Sequence, residues 1–257
     1  MSTEVSVVIP TLRECANLER LLPLLFDTLA RAGLAGEVVV VDDNSRDGTD
    51  ELCRRLACDH SLRLITRRDE RGLASAVLRG LDESTGEVCV VMDADLSHPP
   101  AAIPDLVSSA RSPFCDVAIG SRYTSGGAVD PNWSWRRRLN SKVATYLAKG
   151  LTRAADPLAG FFAIRRDVLS RAAELKPLGY KVLLELIVRC DCRRIFEVPI
   201  MFHDRKLGTS KLSAGQIWLY LRHLARLYTA RYLASRRAAE PTQGEPPTTT
   251  VPRRKSV

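Results

Sequence analysis

No run of apolar residues in this chain approaches the roughly 18 that a membrane-crossing helix needs, so a helical span is not expected. No secretory apolar stretch follows Met1. The seven cysteines, at positions 15, 53, 58, 89, 115, 190 and 192, include no Cys-x-x-Cys pair. They read as reduced thiols of a cytosolic protein. Internal repeats are absent, and histidine is scarce, at four residues. With 45% hydrophobic and 26% charged residues over 257 positions, the chain is neither disordered, collagen-like nor a small disulfide scaffold. It is long enough to bury a sizeable core as one large domain.

Acid is also missing, but locally. None occurs from Pro131 to Ala155, where Arg136, Arg137, Arg138, Lys142, Lys149 and Arg153 stand. None occurs from Arg205 to Ala239, where Arg205, Lys206, Lys211, Arg222, Arg226, Arg231, Arg236 and Arg237 stand. The formal charge is +8. Two long acid-free segments point to an anionic partner: a phosphate-bearing substrate, an acidic membrane surface or nucleic acid. A merely basic, soluble surface is the plainer reading.

What is present is alternation. Apolar β-branched runs at Val5–Pro10, Glu37–Val41, Arg63–Thr66 and Glu87–Met92 read as buried strands. Between them, Glu14–Ala32, Thr49–Ala57 and Gly72–Leu81 carry helical spacing. This predicts an α/β fold with a doubly wound, mainly parallel sheet, its first half spanning residues 1–120. Further on, Val117–Gly120, Gly160–Ile164 and Arg194–Val198 read as strands. Trp135–Leu151, Asp167–Ala173 and Leu183–Cys190 read as helices, and Gln216–Arg236 as a basic amphipathic helix. The second half is expected to span 121–239. Residues 240–257, rich in Pro and Thr, are expected to be a disordered tail.

In such sheets ligands bind beyond the carboxyl ends of the strands. Three polar clusters fall there: Thr11–Glu14, Asp42–Asp47 and Asp93–Asp95. Hard carboxylate oxygens, as in Asp93-Ala94-Asp95, suit Mg²⁺ or Mn²⁺ shared with substrate phosphates. A lone Asp-x-Asp is more often a solvated turn. Here it follows a buried strand and is joined by Asp42-Asp43-Asn44-Ser45.

The runs VSVVIPTLRE, VVVVDDNSRDGT, RGLASAVLRGL and VVMDADLSHPP resemble the family 2 inverting glycosyltransferases of GT-A fold. GSRYTSGG, WRRRLNSK, DPLAGFFAIRR and VPIMFHDRKLGTSKL narrow the likeness to dolichyl-phosphate mannosyltransferases and related polyprenyl-phosphate sugar transferases. The likeness covers residues 4–230 in order. It implies a nucleotide-sugar pocket at Pro10, Glu14, Val41 and Asp43. Leu12 stands where the family usually carries an aromatic. It implies that Asp93 and Ala94 lie against the nucleotide, that Asp95 ligates the metal, and that Ser97 is a weaker or water-mediated ligand. Arg122, Lys181, Arg205 and Lys211 match cations facing the diphosphate or the acceptor phosphate, and Arg137 matches the acceptor-phosphate arginine. Asp93, Asp95, Arg122 and Arg205 are the implied catalytic set.

The implied reaction is transfer of a hexose, mannose from GDP-mannose foremost, to a polyprenyl phosphate. An acceptor phosphate is already ionised, so no strong general base is required. Metal and guanidinium groups would stabilise the departing nucleoside diphosphate. Trp133, Trp135 and the three arginines suit an interfacial acceptor site, and the Gln216–Arg236 helix suits anionic headgroups. A peripheral position on the cytoplasmic face of a membrane follows, by direct binding or through a membrane-spanning partner subunit. Three other readings compete, and UDP-glucose or another nucleotide sugar is the alternative donor. A non-catalytic lipid-binding scaffold is one, and the intact Asp-x-Asp and the paired aspartates argue against it. A transferase acting on a hydroxyl would want a carboxylate base, for which Glu185 is the later-half candidate; a helix-surface salt bridge is its plainer role. A nucleic-acid binder would show recognition motifs that this sequence lacks.

Overall fold

Alternate residues of the first strand point to opposite sides, and both sides are apolar. Val5, Val7 and Ile9 pack one way and Val8 the other, and all are fully buried. A strand buried on both faces needs helices on both, which fixes the layering. The computed structural model describes residues 3–131, 133, 135–172, 175–176, 179, 181–203 and 214–239.

The first half alternates β1 (Val5–Thr11), α1 (Cys15–Arg31), β2 (Gly36–Asp42), α2 (Thr49–Leu56), β3 (Leu62–Thr66), α3 (Leu73–Glu83) and β4 (Val88–Val91). Next come α4 (Ile103–Arg111), β5 (Val117–Ser121), β6 (Ala128–Val129) and α5 (Trp135–Ala148). The chain continues through β7 (Phe162–Arg165), α6 (Arg166–Leu169), α7 (Val182–Arg189), β8 (Ile195–Pro199), β9 (Met201–Phe202) and α8 (Ala214–Ala239). Seven strands form one sheet in the order β3-β2-β1-β4-β7-β5-β8, and β6 pairs with β9. All neighbours in the large sheet run parallel except β7, which is antiparallel to both β4 and β5.

Strand order reverses at β1. The chain winds outward through β2 and β3, then returns to place β4 on the other side of β1. A switch point of this kind opens a crevice at the carboxyl ends of the two strands. The antiparallel β7 brings its amino end to the same rim, so residues 156–161 join the crevice.

On one side of the sheet, Leu18, Leu21, Leu22 and Leu25 of α1 pack with Ile103, Leu106 and Val107 of α4 against Val38, Val40, Val88 and Val90. On the other, Val77 and Leu81 of α3 and Leu183, Leu186 and Ile187 of α7 cover Val91, Val117, Ile119, Phe162 and Ile164. A third cluster joins α5, α7 and α8 through Ala148, Leu151, Leu184, Tyr220, Leu224 and Leu227.

The expected elements are present, with ends shifted by a few residues. Pro99, Pro100 and Pro104 mask α4 in the sequence. Its buried Ile103, Leu106, Val107 and Ala110 keep helical spacing, and Pro104 falls in the first turn, where a missing N–H costs nothing. In α8, Tyr220, His223, Leu224 and Leu227 face the core, while Ile217, Trp218, Leu221, Tyr232 and Leu233 are exposed. Of the apolar side chains at helical spacing Ile217, Leu221, Leu224 and Tyr228, only Leu224 is buried. Among the described residues no helix is long and apolar enough to cross a membrane. The segment 240–257 lies outside them.

Candidate active site

Three adjacent parallel strands deliver the expected polar clusters to one rim. Pro10 and Val41 are register partners across β1 and β2 and are buried. Glu14 precedes α1 and accepts a 2.5 Å hydrogen bond from Asn17 Nδ2. Asp42 turns inward, accepting the Ser45 backbone N–H at 2.8 Å and the Ser45 hydroxyl. Asp43 points the other way and is held by Arg67 and Gly72.

At the end of β4, the side chain of Asp93 is 27% exposed, whereas Ala94 and Asp95 are buried. Leu96 follows with φ of 61°, an unusual conformation for a bulky residue and a form of local strain that gathers at functional loops. The turn lets the Ser97 N–H donate to Asp95 Oδ1 at 3.1 Å. The Ser97 hydroxyl is fully buried and, among the described residues, has no hydrogen-bond partner. An orphaned hydroxyl oxygen beside a carboxylate is a donor pair suited to a hard divalent cation.

His98 is buried, and its Nδ1 accepts the Asp93 backbone N–H at 3.1 Å. Burial, opposed by the nearby acids, lowers its pKa, so the ring stays neutral and keeps that acceptor. Phe161 stacks on it at 5.1 Å and Phe202 meets it edge-on. Gly160 leaves the room: a Cβ there would lie 3.2 Å from Asp93 Oδ2 and 3.3 Å from His98 Cε1.

Opposite the carboxylates stand cations. Arg122 follows β5 and forks onto Asp156, with Nε and Nη2 each donating at 2.7 Å. Burial would lower its pKa, but the Asp156 contact outweighs it and raises the value. Asp156 and Ala155 donate their backbone N–H groups to Glu197 at 3.0 and 2.9 Å. Lys181, at the start of α7, lies within electrostatic reach of Arg122, Asp156 and Asp93. Withdrawal from water, then the Arg122 charge, push its pKa down to about 8.

Trp133 corrects an expectation. It does not reach outward to an interface; it is 6% exposed and meets Phe202 edge-on at 5.5 Å. Its ring carries two guanidiniums, Arg137 at 4.3 Å and Arg122 at 5.9 Å. A cation settles on an indole face because the ring quadrupole attracts it. Trp135, by contrast, is 68% exposed. Glu185 is neither a surface salt bridge nor an open base. It is buried, bonded to His223 Nε2 at 2.8 Å and to the Lys176 backbone and Arg189 side chain at 3.2 and 3.3 Å.

Arg205 and Lys211 lie outside the described residues. Arg67, Asp156, Glu197 and His98 carry the site without having been singled out for it. Asp156 opens the DPLAGFFAIRR run; nothing in the local sequence marks Arg67 as buried.

Rim carboxylates on a switch-point crevice, faced by forked and stacked cations, are the arrangement of a GT-A glycosyltransferase. A family model described as "Glycosyl transferase family 2" matches residues 6–172. The dolichol-phosphate mannosyltransferase of Pyrococcus furiosus is 43% identical over 228 residues, covering 87% of this chain and 63% of that protein. The chain thus spans less than two thirds of that relative. The Saccharomyces cerevisiae dolichol-phosphate mannosyltransferase is 38% identical over 244 residues, 91% of each chain. The Mycosarcoma maydis protein of the same name is 39% identical, covering 88% and 80%. The chain belongs to glycosyl transferase family 2 and, within it, to the group of the dolichol-phosphate mannosyltransferases. Among solved structures, glucosyl-3-phosphoglycerate synthase from Mycobacterium tuberculosis with UDP matches at TM-score 0.62 and 19% identity, over 90% of this chain and 80% of that one. The same enzyme with Mn²⁺, UDP and glucosyl-3-phosphoglycerate matches at 0.61. That likeness bears on the fold.

Proposed function

We propose that this protein transfers mannose from GDP-mannose, with inversion, to a dolichyl-type polyprenyl phosphate. The observation that carries the reading is the facing pair of charge sets. Asp93 and Asp95 stand on one wall and, on the other, Arg122 locked by Asp156, with Lys181 beside them. Pro10, Glu14, Val41, Asp43, Asp93 and Ala94 would hold the nucleoside and its ribose side. Arg122 and Lys181, with Arg205 and Lys211, would hold the diphosphate and the approaching phosphate. Arg137, seated on Trp133, would hold the acceptor. Residues 1–120 then serve the donor and 121–239 the acceptor and the membrane.

Asp95 and the orphaned Ser97 hydroxyl would hold Mg²⁺ or Mn²⁺ together with the donor phosphates; the relative crystallised with Mn²⁺ supports a divalent cation of this kind. When bound, the cation supplies charge neutralisation at the leaving diphosphate. The chain's own work is positioning. Arg122 keeps one fixed geometry because Asp156 uses its Nε and Nη2, leaving its remaining edge for an anion. The acceptor oxygen attacks the anomeric carbon as an anion already formed, and cations stabilise the charge that develops opposite. A hydroxyl acceptor would need a free carboxylate base, and Glu185 is committed to His223 and Arg189.

The lipid acceptor lies in a bilayer, so the enzyme would work peripherally at the cytoplasmic face of an anionic membrane, alone or beside a membrane-spanning subunit. Exposed Trp135, Leu139, Val143 and Tyr146 on α5, with Ile217, Trp218 and Leu221 on α8, support direct contact. The two helices are tied by Tyr220 Oη donating to the Ala144 carbonyl at 2.7 Å and Tyr228 Oη to Leu147 at 2.9 Å. No nucleic-acid partner is proposed. The test is to incubate the purified chain with a polyprenyl phosphate and a panel of nucleotide sugars, then identify lipid products by mass. Mannosyl lipid from GDP-mannose supports the reading. Product from UDP-glucose overturns the donor; transfer to a sugar hydroxyl instead of the lipid overturns the acceptor.

A further inference from the structure

Arg67 follows β3 and is buried together with Asp43; each side chain is 6% exposed. Two such charges are withdrawn from water at a cost that only close geometry offsets. The geometry is close. Arg67 Nε donates to Asp43 Oδ1 at 2.7 Å, and Nη2 donates to the same oxygen and to the Gly72 carbonyl, the latter at 2.9 Å. Nη1 donates to Ser75 Oγ at 2.8 Å and faces Glu70 at 3.4 Å. All three guanidinium nitrogens are therefore engaged inside the protein. Arg67 can influence a ligand only through what it holds.

Asp43 is correspondingly filled. Oδ1 takes both Arg67 donors, and Oδ2 takes the Gly72 backbone N–H at 2.8 Å. Gly72 presents that N–H from φ of 133°, a conformation open to glycine. A carboxylate has about four acceptor positions, so among the described residues one remains, on Oδ2.

We propose that Arg67 is a positioning residue that leaves Asp43 a single free acceptor position, and that this position selects nucleobases carrying one imino N–H. The inference rests on the proposed placement of the donor nucleoside at Asp43. Guanine, hypoxanthine and uracil present a ring N–H beside a carbonyl. Adenine and cytosine present a bare ring nitrogen there, whose lone pair would meet the carboxylate's own. With Oδ1 occupied, the carboxylate cannot also take the 2-amino group of guanine as the second arm of a fork. GDP and IDP should therefore bind alike at this contact, and ADP poorly.

The experiment measures affinities of GDP, IDP and ADP for the full chain with Mn²⁺ by calorimetry, in wild type, Arg67→Lys, Arg67→Met and Asp43→Asn. In wild type, GDP and IDP should agree within about threefold and ADP should bind at least about tenfold more weakly, the scale of a hydrogen bond to a charged group. Arg67→Met should erase most of the GDP-over-ADP preference, and Arg67→Lys should keep part of it. A fold-only role would weaken every nucleotide alike. GDP binding far tighter than IDP in wild type overturns the single-acceptor claim, and that comparison needs no variant. A preference lost in Asp43→Asn but intact in both Arg67 variants overturns the positioning role. A preference intact in Asp43→Asn removes the base from Asp43 altogether, and the placement beneath the inference fails instead.

Discussion

Arg122 and Asp156 meet through two parallel hydrogen bonds of 2.7 Å, and the Arg122 backbone N–H adds a third at 3.1 Å to the same carboxylate. Asp156 is fully buried and Arg122 nearly so. Replacing Asp156 by Asn keeps the shape and strands a buried guanidinium. Removing one partner of such a pair costs about 3 kcal/mol or more. Asp156→Asn is expected to lower the melting temperature and kcat/KM together, with kcat reduced about tenfold or more as Arg122 loses its fixed edge. A variant that melts early yet keeps wild-type kcat would reduce Asp156 to a stabilising role.

Asp95 and Ser97 separate by degree. Asp95→Ala should abolish metal-dependent transfer while the circular dichroism spectrum stays unchanged, because Asp95 lies beyond the end of β4, in the loop where the Ser97 N–H donates to it. Ser97→Ala should weaken Mn²⁺ affinity several-fold and leave transfer measurable at saturating metal, as expected of a neutral ligand beside a charged one. Titrating Mn²⁺ by electron paramagnetic resonance in both variants checks the order. Equal losses in the two would reject it.

Arg137 should separate donor from acceptor. Arg137→Ala is expected to raise the KM for lipid phosphate about tenfold or more, the scale of a lost charge-assisted contact. GDP affinity should stay within twofold to threefold of wild type, a change of about half a kcal/mol. Trp133→Leu removes the ring on which Arg137 rests at 4.3 Å and should follow it in direction, to a smaller extent. Loss of GDP binding in either variant would move that arginine to the donor side.

Lys181 gives the pH dependence. Its pKa is pushed down to about 8, so the ammonium is charged below that pH and neutral above it. A bound diphosphate favours the charged form. The donor KM should therefore be flat near pH 7 and rise as pH climbs past about 8, toward tenfold per unit. Arginine titrates far higher, so Lys181→Arg should move the rise to higher pH. Initial rates across that range decide the matter; an identical rise in the variant would assign it to another group.

Much of this was legible in the sequence, for one physical reason. Strands buried on both faces must be apolar throughout, and polar clusters beyond them then mark the rim. Val5–Thr11, Gly36–Asp42 and Val88–Val91 were visible in this way, and with them Asp43, Asp93 and Asp95. What sequence could not give is partnership at a distance. Arg67 lies 24 positions from Asp43 and Asp156 lies 34 from Arg122, and nothing local says that these charges are buried against each other. Trp133 was misread for the same reason. A tryptophan among arginines resembles an interfacial anchor until Phe202, from the β6–β9 pair, is seen to close over it.

The membrane prediction follows from the two faces of α5 and α8. Their inner faces share a core, and their outer faces leave Trp135, Leu139 and Tyr146, with Ile217, Trp218 and Leu221, in solvent. Arg222 lies 5.6 Å from the Trp218 ring, a basic group beside an interfacial one. Each juxtamembrane cation contributes about 1 kcal/mol at an anionic surface, screened within about one Debye length. Apolar side chains add a part that salt does not screen. The chain should therefore sediment with anionic vesicles, be largely released on raising salt toward about 1 M, and bind neutral vesicles only weakly. Trp135→Ser with Trp218→Ser should lower the salt-resistant fraction; Arg222→Gln should lower the salt-sensitive one. None of the three should change transfer to a short, water-soluble lipid phosphate, because both tryptophans are exposed and Arg222 lies beside Trp218. Equal binding to neutral and anionic vesicles would reject the electrostatic part. Binding to neither would hand the role to a membrane-spanning partner subunit, with these exposed helices as its docking face.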